Sequence, residues 1–481
     1  MKKSYILVLA MACLSGTGCD SWLNLTPESS LTANSMWQSE ADATAALNGA
    51  FARFRTIYDK NLFLWGDMRT GFYGNNYANG YVNYGMLWDN QVTPTTQGTD
   101  WSSLYNNIND LNLILKYVPG IPNMSKSGMD NVLGSAYFLR AFNYFFIAKV
   151  WGDAPVVTVP TESDTQEGLY PSRDPVETVL ARVEADLTAA EPLLESSPGA
   201  APFYASLNAL YMLETDFYLW MYKVQGVEEA LSKAKAAIDK VTGGTNMTVY
   251  SKAFDAETDD SCREILFSIP FVQDEKVSSF AGNFLLSLAD VSADYQNNPV
   301  PIGGGGWMTF TDEHYAFLHS DPRDTRADIN VQELVTEQET YRWINKYVGH
   351  YLNGTRVFDT DYRIYRWAEA NLFRAEIAVE QDDFTTALSE LNKVAKRAYG
   401  VSKFYNGTYT KDELRKIILE ERLKEFATEG KAWFDLIRFG KSFEYIPSLK
   451  GREDEQDILL WPVNQTTINK NTNIEQTEGY K

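Results

Sequence analysis

Leu419-Glu420-Glu421-Arg422-Leu423-Lys424-Glu425-Phe426-Ala427-Thr428-Glu429-Gly430 continues without a break into Lys431-Ala432-Trp433-Phe434-Asp435-Leu436-Ile437-Arg438-Phe439-Gly440. Charges and rings interleave here: Arg422, Glu429, Asp435 and Arg438 stand among Phe426, Trp433 and Phe434. That mixture suits buried or half-buried ion pairs set against aromatic packing, where removing one partner strands the other charge. The stretch reads as scaffold, not as ligand contact.

Outward from it, apolar residues recur at helical spacing over most of the chain. The pattern predicts helices over 41–58, 101–118, 129–150, 174–194, 202–224, 227–241, 361–380, 384–398 and 410–430. Asp174-Pro175 opens the fourth as an N-cap followed by a first-turn proline. Two helix pairs, 202–241 and 361–398, turn alike, with Ala375, Ala387 and Leu391 where a tetratricopeptide repeat sets its small and packing residues. Such hairpins must stack on neighbours to bury their faces. Residues 245–360 differ: glycine, proline and asparagine rise, and Glu264 to Ile269 reads as a short strand.

Several stretches match one known pattern in order. The quoted segment resembles the signature of the SusD/RagB family of Bacteroidetes outer-membrane lipoproteins, an acidic–arginine helix running into EG-x-x-WFDL-x-R. Ala136 to Phe146 with Trp151-Gly152-Asp153-Ala154-Pro155 resembles the family's arginine–aromatic helix and GD-x-P turn. Asp361 to Glu376, Leu460-Trp461-Pro462-Val463, Asn471 and Gly479-Tyr480 resemble its later segments. Thr428 and Phe439 depart from it, standing where the family usually has an aromatic and a tryptophan. The resemblance implies a mainly α, SusD-like helical scaffold with embedded tetratricopeptide-like helix pairs and an irregular, loop-rich subdomain with short strands. It also implies a non-catalytic binder that delivers an oligomeric nutrient to a SusC-like TonB-dependent transporter, over which it sits as a hinged lid.

The N-terminus fits that address. Lys2 and Lys3 precede an apolar run from Tyr5 to Leu14, too short to span a bilayer, and then small residues lead to Cys19. This resembles a bacterial lipobox, although Gly16 stands where leucine is preferred. The reading is a signal peptide over 1–18, lipidation of Cys19 and a tether over 19–30; ordinary secretion is the alternative. The remainder divides into a helical region 31–244 with aromatic loops, a loop-rich insert 245–360 and a C-terminal helical region 361–481, expected to form one unit.

Composition narrows the partners. A net charge of −21 at pH 7 opposes a nucleic-acid footprint or a polybasic membrane patch. Three cysteines and three histidines, with no i, i+4 histidine pair, give neither a disulfide framework nor a zinc site. Acidity leaves calcium conceivable, but no EF-hand loop supports it, so no cofactor or metal is expected. Gly303 to Gly306 is not a dinucleotide fingerprint, and Gly440-Lys441-Ser442 lacks the earlier glycine of a phosphate loop. No hydrolase motif is present either.

Candidate ligand contacts lie where rings sit among polar loop residues. Residues 62–107 hold ten aromatics, interspersed with asparagines. An exposed ring can cover a pyranose C–H face while amides and charges bond its hydroxyls. Asp67, Arg69, Tyr73, Asn75, Asn76 and Trp88 are the candidates there, with Trp65, Trp101 and Tyr105 read as packing residues. Tyr295 and Trp307 flank the glycine loop as a second strip. The expected ligand is an oligosaccharide. An oligopeptide, as for the RagB side of the family, is one alternative, and a cell-surface glycan hydrolase is another.

Overall fold

Helices dominate the computed structural model, which describes residues 36–75, 80–195, 201–242, 247, 249–254, 262 and 264–481. The expected signal peptide, Cys19 and tether lie outside these residues. Helix α1 (Glu40–Gly66) starts at Ser39, whose hydroxyl accepts from Asp42 N, and runs well past the expected end at Tyr58. The stretch after it, which holds none of the predicted helices, contains strand β1 (Tyr73–Asn75) and a helix, α2 (Gly80–Trp88). Helix α3 (Ser102–Tyr117) leads to α4 (Lys126–Trp151), which is buried on nearly every side from Ser135 onward. An all-round apolar helix belongs in the middle of a protein.

Helix α5 (Val176–Leu194) packs on α4. Its start differs from the expectation at Asp174. That carboxylate accepts from Val156 N, while Asp153 Oδ1 takes the Val176 N–H at 2.8 Å, so the turn after α4 caps α5. Helices α6 (Leu207–Lys223) and α7 (Ala230–Lys240) form the next neighbouring pair.

The strands make four separate antiparallel pairs among the described residues. These join β1 to β3 (Met308–Phe310), β2 (Ile265–Ile269) to β8 (Tyr362–Arg366), β4 (Val331–Val335) to β5 (Thr340–Ile344), and β6 (His350–Leu352) to β7 (Thr355–Val357). Strand β8 corrects the helix expected to begin at 361. Tyr362, Ile364 and Tyr365 favour a strand, the segment is buried on both faces, and its backbone bonds to β2. The helix starts only at Trp367.

Helix α8 (Trp367–Glu380) pairs with α9 (Phe384–Tyr399) and also touches α6 and α7. Helix α10 (Lys411–Glu425) opens on a full Thr410–Glu413 capping box and stops short of the expected Gly430. Thr428 and Gly430 both take positive φ, which ends the helix. Helices α11 (Ala432–Arg438) and α12 (Gln465–Lys470) follow. Between α8, α9 and α10 lies a small core in which Ala375, Ala387 and Leu391 are fully buried. The main core draws residues from all three regions of the chain, from Trp37 to Ile474.

The charges of the opening motif are buried in pairs, as read. Arg422 bridges Glu369 and Asp435 at 2.8 and 2.9 Å, and Arg438 reaches Glu376, Asp435 and Asp216. Beside them Arg366 bonds Glu264, Glu425 and Glu429, while Arg326 and Arg397 also grip Glu425. Burial alone would raise the Glu425 pKa. The three guanidiniums Arg397, Arg366 and Arg326 instead hold it far below the ordinary carboxylate range.

Candidate ligand-binding surface

Three of the proposed ligand contacts point inward. Asp67 is fully buried; its carboxylate accepts from Gly430 N at 2.8 Å and from Ala432 N at 3.4 Å. Burial lifts its pKa to about 7 against those two hydrogen bonds. Arg69 is also fully buried, with its guanidinium 4.4 Å from the Trp433 ring centre and 5.5 Å from that of Trp461. It donates to Leu460 O, Ile458 O and Asn90 Oδ1. Tyr73 is buried against Phe310, its hydroxyl 3.3 Å from Thr428 Oγ1. These side chains fasten the loop after α1 to the C-terminal region, and none of them faces solvent.

The two candidate strips nevertheless meet. Strand β1 pairs with β3 in the register Tyr73↔Phe310 and Asn75↔Met308, which brings residue 75 beside the chain leaving Trp307. The glycine loop before Trp307 lies directly on residues 282–286. Gly304 N donates to Leu286 O, Gly305 N to Gly282 O and Gly306 N to Leu285 O, at 3.1, 2.8 and 2.7 Å. A Cβ on Gly304 would lie 2.2 Å from Leu285 O and 2.3 Å from Gly282 O, so only glycine allows this approach.

That docking carries Trp307 to the edge of α2. Its ring lies 6.0 Å from Tyr84, which in turn is 6.2 Å from Trp88. Tyr84 and Trp88 are buried; Trp307 is half-buried and its indole N–H finds no acceptor among the described residues. Asn283 Nδ2 donates to Tyr84 Oη at 3.3 Å, placing an amide beside the rings. Burial raises the Tyr84 pKa to about 12, so the phenol keeps its proton at neutral pH. Val82 and Met86, on the outer face of α2, are exposed. Trp307 and Asn283 therefore lie together over a base of Tyr84 and Trp88, while Val82 and Met86 belong to the opposite face of α2.

The remaining candidates divide. Tyr295 packs 5.9 Å from Tyr341 in a small core with Leu285, Leu286, Ile302 and Trp343, and so supports the glycine loop from below. Asn76 lies outside the described residues, as does the Asn75 side chain. Asn283 was missed by the sequence reading. Asn283 sits in a segment of ordinary composition, and only the loop docked against it reveals its place. Among the described residues no three His, Cys, Asp or Glu side chains gather as a metal ion would require.

Fold and site together describe a mainly helical scaffold of paired helices and short strand pairs that carries an aromatic loop surface. Solved structures share that architecture. One is B. fragilis NanU, at a TM-score of 0.81 and 25% identity, covering 94% of this chain and 99% of that one. A SusD superfamily protein from Bacteroides fragilis aligns at a TM-score of 0.79 and 25% identity, covering 92% and 100%. Residues 21–219 match a SusD-like family described as starch-binding and associating with the outer membrane, and residues 326–480 match the SusD family. The chain belongs to the SusD family. Among its relatives are SusD-like protein P38 of Formosa agariphila, 25% identical over 99% of this chain and 98% of its own length, and the starch-binding protein SusD of Bacteroides thetaiotaomicron, 25% identical over 81% and 80%.

Proposed function

We propose that this protein is a non-catalytic, lipid-anchored binding protein of the outer-membrane surface that captures oligosaccharides and passes them to a TonB-dependent transporter. The observation that carries the reading is Trp307: a half-exposed indole with an uncommitted N–H, held on a rigid glycine loop beside the Asn283 amide. A ring of this kind covers the apolar face of a sugar while neighbouring donors bond its hydroxyls. The family's description as starch-binding and associated with the outer membrane supports both the ligand class and the location. Ligand held between this surface and the transporter favours a closed lid by its greater affinity for that state. The isolated protein then binds weakly, about −4 to −8 kcal/mol, or millimolar to micromolar.

The test is calorimetric titration of the full chain, in a detergent without a sugar headgroup, against plant, host and microbial oligosaccharides and mixed oligopeptides. Heat with one glycan class is expected, with Trp307→Ala weakening it at least tenfold at an unchanged melting temperature. Trp88→Ala, in contrast, should cost about 3 kcal/mol of stability because that ring is buried. Heat with peptides alone would replace the reading by peptide capture. Release of reducing ends would replace it by hydrolysis.

A further inference from the structure

A cleft of about 510 Å³ opens between the start of α3, the 155–171 loop and α12, and it shares no residue with the Trp307 surface. Its size falls within the roughly 300–1,000 Å³ of small-molecule sites. Hydrogen bonds fix its walls. Tyr105 Oη donates to Pro155 O at 2.7 Å, Asn471 Nδ2 to Pro171 O at 2.8 Å and Asn473 Nδ2 to Tyr170 O at 2.7 Å. Asn464 Nδ2 reaches Thr99 Oγ1 at 3.0 Å. Three stretches distant in sequence are clamped together, so the cleft is preformed and needs no ordering on binding.

Its lining is amphipathic in a particular way. The Tyr170 ring stands at the edge, 62% exposed, and Trp101 lies inside with its indole N–H without an acceptor among the described residues. The side chains of Asn106, Thr467 and Lys470 line the same cleft, and none has a hydrogen bond or ion pair among the described residues. Asp100 offsets the Lys470 charge, so the cleft favours neither an anion nor a polycation. A ring face, an amide, a hydroxyl and an ammonium, all uncommitted around one neutral hollow, match a neutral polyhydroxylated ligand.

We infer that this cleft is a second carbohydrate-binding site, which engages another unit of the same glycan chain or a neighbouring chain. The inference rests on the glycan reading above. Two weak sites on one rigid body raise the affinity for long chains through effective concentration, and leave the affinity for short ones as it was.

The test uses the full chain in native affinity gels cast with soluble starch, xylan, pectin, mixed-linkage β-glucan or mucin, followed by titration of a trisaccharide from whichever polymer retards it. Tyr170→Ala combined with Lys470→Ala should weaken retention on the polymer at least threefold and leave trisaccharide binding unchanged. Trp307→Ala should weaken both, each at least tenfold. Asn106→Ala provides a second variant in case the first does not fold. A Tyr170/Lys470 variant retarded like the wild type overturns the second site and leaves the proposed function standing. Retention lost in that variant but kept in Trp307→Ala supports the cleft and overturns Trp307 as the platform. A wild-type chain that no polymer retards overturns both readings.

Discussion

Gly66 and Gly430 touch backbone to backbone: a Cβ on Gly66 would fall 1.8 Å from Gly430 O. Gly430 also holds φ +71, where a side chain is strained in any case. Gly66→Ala should therefore lower stability by roughly 3 kcal/mol, read as a drop in the denaturation midpoint with an unchanged slope. The same contact explains Asp67, whose carboxylate receives the Gly430 N–H in a dry site. Its folded pKa of about 7 lies above the ordinary carboxylate value of about 3.9, so the folded state holds the proton more tightly than the unfolded one. The stabilising contribution is complete below about pH 4 and is lost as pH rises through 7. Asp67→Asn keeps an acceptor and removes the titration. Between pH 5 and 8 the wild type should lose stability relative to this variant, by up to about 2.6 kcal/mol, in paired thermal melts. Asp67, Arg69 and Tyr73 looked like ligand contacts because their neighbours in sequence are loop residues. Their partners lie more than 350 residues away, at Thr428, Gly430 and Leu460, and local composition carries no trace of them.

At the scale of elements, periodicity located the long helices well, because a helix's own residues declare its buried stripe. It erred where tertiary pairing decides conformation. Tyr362 to Arg366 flank a true helix, but both faces of that segment are covered and β2 supplies its hydrogen bonds. Helix α2 escaped notice because tyrosines, asparagines and glycines blur its period. The glycine loop was legible as a loop, while its role as a support for Trp307 was not. That role can be tested. Gly304→Ala forces the loop away from Leu285 and Gly282, so glycan binding should fall at least tenfold. The melting temperature should move by only a few degrees, since the main core is untouched. A variant that binds like the wild type would show that the docked loop does not set the binding geometry.

Over the whole molecule, the three regions read from the sequence share one core and one ion network. Arg366 at the end of β8 bonds Glu264 from the loop-rich region and Glu425 and Glu429 from the motif that opened the reading, while Lys346 reaches Glu429 as well. The motif was legible as scaffold because arginines and acids spaced among large rings have few other uses. Its partners were not, since Glu264, Arg326 and Lys346 stand in segments without distinctive pattern. The aromatic loop and, separately, Trp307 were legible as candidate contacts, but the inward rings could not be told from the outward one without the β1–β3 pairing.

The fastening of α1 to the far end of the chain sets an order of events. The loop after α1 is completed by Gly430, Ile458 and Leu460, which are made hundreds of residues later. During synthesis the end of the first helix therefore waits, with Leu62 lacking the cover of Gly430 and the loop lacking its backbone partners, until almost the whole chain has arrived. Contacts this distant in sequence make folding slow and leave the incomplete chain prone to association. A nascent chain of this design depends on being kept apart from its neighbours until its last segment is free.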